Sequence, residues 1–107
     1  MDFSKHKDLP SLLKQRGTVK RRFDYCKKNI QFECDDTNIS NASLKENIDL
    51  FNKSMEDVYS LFDAVMNFLD SEDNPTEAAD INSWYQSLSD EHLQIRLIAY
   101  KKLDSLQ

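Results

Sequence analysis

The residues of this sequence best suited to chemistry are cationic. Lys14, Lys20, Arg21, Lys27 and Lys28 crowd into or beside "LLKQRGTVKRRFDYCKK" (12–28), which also holds the only glycine of the chain. Clustered lysines and arginines meet phosphates, of a nucleic acid or of an anionic membrane surface, and gain affinity by releasing counterions. Residues 1–28 carry nine Lys/Arg against three Asp/Glu, a net of +6; residues 29–107 carry five against sixteen, a net of −11, and the two make the −5 of the whole chain. A negative total weakens long-range attraction to polyanions. A reader of single strands also wants aromatic side chains between its cations for base stacking, and the segment supplies Phe23 and Tyr25, the first of them at a core position. The competing reading is solvated charge paired with Asp49, Glu56, Asp57, Asp63 and Asp70 of the following helix. That reading is preferred, with nucleic-acid or membrane-surface binding through the basic face as the alternative.

Other chemistry is scarcer. Asp35-Asp36 and "DSED" (70–73) are carboxylates in connecting segments, and neither a glycine-rich phosphate loop, a nucleophile elbow nor a paired histidine and carboxylate is present. The expectation is a non-enzyme with no catalytic residue, no cofactor and no small-molecule substrate. Cys26 and Cys34 stand eight residues apart, about 12 Å along one helix, too far for a disulfide within it. His6 and His92 lie near no cysteine pair, so zinc-ligand spacing is lacking and no metal site is expected. The sequons at Asn38, Asn41 and Asn52 read as chance, because "MDFSKHKDLPSLLKQ" lacks the apolar centre of a secretory signal. No run approaches the roughly 20 apolar residues that cross a bilayer. The chain is therefore expected to be soluble and intracellular, cytoplasmic rather than secreted.

The elements that must position these residues are helices. At 107 residues, with one glycine and two prolines, the composition fits one all-α domain. Asp8 and Pro10 predict the start of a first helix spanning about 9–34, whose apolar stripe is Leu12, Val19, Phe23, Cys26 and Ile30 with Arg16 in the skipped position and Gly17 inside. A second helix, about 43–70, opens on a capping box of Ser43 and Glu46, followed by Leu44, Ile48, Phe51, Met55, Val58, Phe62, Val65 and Leu69 in steps of four and three. The third, about 76–106, starts at "NPTE", and its stripe is Ile81, Trp84, Leu88, Ile95, Ile98, Ala99, Leu103 and Leu106. It is read as one helix, with a bend and a fourth helix at Ser89 as the alternative. Three helices of matched length with short connections predict an elongated antiparallel three-helix bundle with coiled-coil-like seams.

A continuous third helix places Leu93, Leu97 and Tyr100 about 140–200° around the axis from Ile95, opposite the core stripe. An exposed apolar strip points to a partner, a second copy or a different protein. A flank on the second helix, Leu50, Leu61 and Phe68, lies closer to the core and is assigned to it.

Taken together, "LLKQRGTVKRRFDYCKK", "LKENIDLFNKSMEDVYSLFDAV" and "DINSWYQSLSDEHLQIRLIAYKKLDSL" resemble the helical N-terminal region of Gag-type polyproteins of Bel/Pao-class retrotransposons. The shared outline runs from about Leu9 to Leu106: a basic R-x-x-V-K helix, a long heptad helix, and an acidic stretch leading into W-Y and A-x-x-x-L. Arg21-Arg22 stands where family members often carry Thr-Arg. The resemblance implies a structural assembly module that associates with its own kind, or a host protein that retained the piece.

Overall fold

The computed structural model describes residues 2, 3, 5, 6 and 8–106. Three helices, α1 (Leu9–Cys34), α2 (Asn41–Glu72) and α3 (Pro75–Ser105), pack pairwise into an all-α bundle measuring 51 × 22 × 17 Å. Each start has a local cause. The Asp8 carboxylate accepts from the Ser11 backbone N–H at 2.8 Å, with Pro10 in the first turn where it forfeits no bond. Asn74 caps α3 in the same way, accepting from the Glu77 N–H at 3.3 Å ahead of Pro75. Helix α2 is capped three residues before the expected Ser43: its cap is Ser40, whose hydroxyl accepts from the Ser43 N–H at 3.1 Å. The Ser43 side chain turns instead toward α1 and donates to Glu33 Oε2 at 2.8 Å. The turn out of α2 closes at Asp73, in the left-handed region with φ 52°, whose N–H donates to the Leu69 carbonyl.

Helix α3 runs unbroken through Ser89, so the alternative of a fourth helix is not what forms. Its continuity follows from "LSDEHLQIRL", which has neither glycine nor proline to interrupt the hydrogen-bond ladder. Helix α1 likewise runs through Gly17 as one element.

Of the anticipated core, Val19, Phe23, Ile48, Phe51, Val58, Val65, Leu69, Leu88 and Ile95 are buried. Met55, Phe62 and Trp84 are not: each is half-buried at the margin of the core. The reason lies in α2 being covered from two sides. A strict alternation of four and three describes a seam against one neighbour, whereas a helix wedged between two buries a broader stripe. Ser54 and Leu61, one residue before Met55 and Phe62, are the fully enclosed ones. Ser54 lies beside Cys26 of α1 and donates to the Phe51 carbonyl at 2.6 Å. Phe62 faces α3, where its ring stacks on Tyr85 at 4.4 Å and 18°. In α3, Trp84 is about 60° around the axis from Ile81 and packs against the core half-buried. Of the two adjacent residues given to the stripe, Ala99 is buried and Ile98 is 60 % exposed. The flank on α2 divides: Leu61 is core, Phe68 packs half-buried against it, and Leu50 stays exposed. Phe3, upstream of α1, is also buried.

Candidate interaction surface

Helix α3 lays its seam through Ile81, Leu88, His92, Ile95, Ala99 and Leu103, which leaves the opposite side of a straight helix facing water. Leu93, Leu97 and Tyr100 occupy that side at 47, 60 and 42 % exposure, where the sequence places them. Their i, i+4, i+7 spacing makes one strip about 10 Å long. Ile98 is equally exposed, but on the flank toward α1, where it lines an open cleft with Ile30, Gln31, Cys34, Asp35 and Ile95.

The basic residues of α1 separate into two sets. Lys20 lies 2.8 Å from Asp24 on its own helix, and Lys27 reaches Glu91 of α3 at 3.0 Å and Asp24 at 3.7 Å. The hydrogen bond to Glu91 holds the Lys27 ammonium above its ordinary pKa, against the opposing effect of burial. Two further cations join helices: Arg16 to Asp80 of α3 at 2.9 Å and Arg22 to Asp57 of α2 at 3.7 Å. Pairing thus falls mainly on α1 itself and on α3, not on the acidic face of α2 as expected. Lys14, Arg21 and Lys28 form the second set. They are exposed and enter no ion pair among the described residues; Arg21 only donates to the Thr18 hydroxyl at 3.4 Å.

Sequence reading named Tyr25 among these cations but missed Phe32, one turn beyond Lys28 on the same face. Thr18, Tyr25 and Phe32 share their face, and Tyr25 and Phe32 are 67 and 76 % exposed. The signal was present in the spacing: Lys14, Thr18, Arg21, Tyr25, Lys28 and Phe32 step by four and three, as a core stripe does, on the wet side of the helix.

Among the described residues three polar side chains are buried with the apolar ones. Glu33 accepts the Ser43 hydroxyl through one oxygen while the other has no hydrogen-bond partner, Ser54 is satisfied by backbone, and His92 pairs with Asn52 at 2.8 Å. Burial, with the nearby Arg96 guanidinium adding to it, pushes the His92 pKa down. Burial pushes both thiols, Cys26 and Cys34, up. Both are free cysteines. Among the described residues no three His, Cys, Asp or Glu side chains gather as metal ligands, and no helix is long and apolar enough to cross a membrane. The clefts on the surface are open grooves, one lined by residues that include Asp2, His6 and Asp63 and another by residues that include Glu56, His92 and Arg96.

No family model, no curated protein and no solved structure matches this chain.

Proposed function

We propose that the chain is a non-enzymatic helical module that associates with a second copy of itself through the outer face of α3. The observation that carries this reading is the strip of Leu93, Leu97 and Tyr100, exposed on a continuous helix and directed away from the core. The strip is self-complementary. A two-fold axis passing beside Leu97 sets Leu97 against its own copy and Leu93 across from Tyr100, so all three side chains are used twice. This is also the kind of module that the resemblance to the N-terminal region of Bel/Pao-class Gag-type polyproteins implies.

The energetics make the contact weak. Fully burying a large apolar side chain is worth about 1.5–3 kcal/mol, and side chains already half covered gain roughly half of that. Six such groups in a dimer barely exceed the several kcal/mol lost in translational and rotational freedom. Association is therefore expected near the upper micromolar range, with Leu97 at its centre.

Sedimentation velocity across a concentration series tests the reading. The parent protein forms dimers as concentration rises, and Leu97→Asp remains a helical monomer. A parent that is monomeric up to about 1 mM, or a variant that loses helicity along with association, overturns it.

A further inference from the structure

The outer faces of α1 and α2 carry matched stripes of opposite charge. On α1, Lys14, Arg21 and Lys28 recur every seventh residue; on α2, Asp49, Glu56, Asp63 and Asp70 do the same. All seven are exposed, and none enters an ion pair among the described residues. The ion pairs that do form use charges beside the stripes, Arg16, Lys20, Arg22, Asp24, Lys27 and Asp57, together with Asp80 and Glu91 of α3. These pairs take up the charges that flank the basic row and leave both rows without ion pairs among the described residues, although on α2 the exposed Lys45 and Lys53 stand on the same face as Asp49 and Glu56.

The rows are also level with one another. Across the α1–α2 seam Phe23 meets Phe51, Arg22 reaches Asp57 and Glu33 takes the Ser43 hydroxyl. Continued along the helices, that antiparallel register sets Lys14 at the height of Asp63, Arg21 at that of Glu56 and Lys28 at that of Asp49. Both rows repeat at about 10.5 Å along the axis. Within one molecule they face outward from different sides of the bundle and cannot meet.

The geometry points to a second copy as the occupant of the α1 face: two bundles lie side by side, pointing the same way and without axial shift, so that the basic row of one meets the acidic row of the next. Each of the three cations then finds a carboxylate at its own height. Tyr25 and Phe32, exposed between and beyond the cations, lose water in the same contact. The net charge of −5 opposes a free polyanion and a second copy alike at a distance, but a lateral neighbour presents its carboxylates in the matching repeat. The contact joins two different faces and is therefore heterologous: it propagates into a ring or a filament according to the angle between the faces. It uses neither Leu93, Leu97 nor Tyr100, and so goes beyond the proposed α3 dimer and stands or falls apart from it.

The test is a charge swap in the Leu97→Asp background, which removes the α3 contact. Sedimentation velocity at about 20 mM and about 500 mM salt separates ionic from apolar association. The background protein associates at low salt and dissociates at high salt. Replacing Lys14, Arg21 and Lys28 by Glu abolishes association, as does replacing Asp49, Glu56 and Asp63 by Lys, with helicity retained because every substituted side chain is exposed. An equimolar mixture of these two variants associates again. Both replacements in one chain leave the net charge of the background protein unchanged and restore self-association to within a fewfold of it. A background protein that is monomeric at low salt, or a double swap that stays monomeric, overturns the proposal. Binding of (dT)20 or of phosphatidylserine vesicles, lost in the α1 variant while the double swap fails to restore association, overturns it in favour of a polyanion.

Discussion

His92 Nε2 lies 2.8 Å from Asn52 Oδ1, a hydrogen bond from α3 to α2 within the seam, and the same imidazole packs 4.9 Å from the Phe51 ring. A histidine here replaces an apolar residue between Leu88 and Ile95, and its neutral form is the one that fits. Burial and Arg96 lower its folded-state pKa below the ordinary 6.5. As pH falls, the unfolded chain takes up this proton before the folded chain does, so the unfolded state gains. The stability due to neutral His92 is fully present above about pH 6.5 and is lost as pH falls below that value toward the folded-state pKa. Thermal melts between pH 8 and pH 5 should show a midpoint that holds above pH 6.5 and declines below it. His92→Gln should remove that part of the decline.

The division of α2 between Leu61 and Phe62 gives a second outcome. Leu61→Ala opens a cavity in a fully enclosed site and should cost about 2–5 kcal/mol. Phe62→Ala, though it deletes more atoms, loses a half-buried stack on Tyr85 and should cost less, about 1–2 kcal/mol. Urea denaturation at a fixed m-value measures both, and the reverse order would return the seam to Phe62.

The two serines at the start of α2 act differently and can be separated. Ser40→Ala removes the cap and should cost about 1 kcal/mol. Ser43→Ala strips the buried Glu33 carboxylate of its hydroxyl donor and should cost about 1–3 kcal/mol. A double-mutant cycle with Glu33→Gln should find coupling for Ser43 and almost none for Ser40.

Gly17 sits in the interior of α1, and a Cβ there would meet nothing within 4 Å. Gly17→Ala should therefore stabilise the bundle by about 0.5–1 kcal/mol, through helix propensity and a less disordered unfolded chain. For a domain of this size that is a rise of several degrees in Tm. An unchanged or lower Tm would mean that the glycine serves a contact with something outside the monomer.

These cases show what the residue pattern carries and what it does not. Helix ends marked by Asp8–Pro10 and Asn74–Pro75 were legible, because a cap and a proline act within one turn. The strip on α3 was legible too, since it follows from the seam and the helical repeat alone. The register of α2 was not: four-three spacing names one face, and the choice between Leu61 and Phe62 depends on two neighbours approaching at once. Ser54, Glu33 and His92 were invisible as core residues because their burial rests on partners far along the chain, Asn52 and Ser43 among them. Phe32 was overlooked for the opposite reason, as an aromatic at regular spacing on a face that the stripe had assigned to water.

The 51 × 22 × 17 Å dimensions, with a Cα radius of gyration of 16.1 Å, make the molecule longer than a sphere of its length, which would have about 13 Å. A rod tumbles faster about its long axis than across it, and it offers two distinguishable ways to grow. Copies added flank to flank without axial shift broaden the particle and leave its maximum dimension almost unchanged. Copies added end to end, or staggered, lengthen it. Small-angle scattering therefore reads the direction of assembly from the pair-distance distribution: lateral growth at first raises its height while its outer limit stays near the length of one bundle.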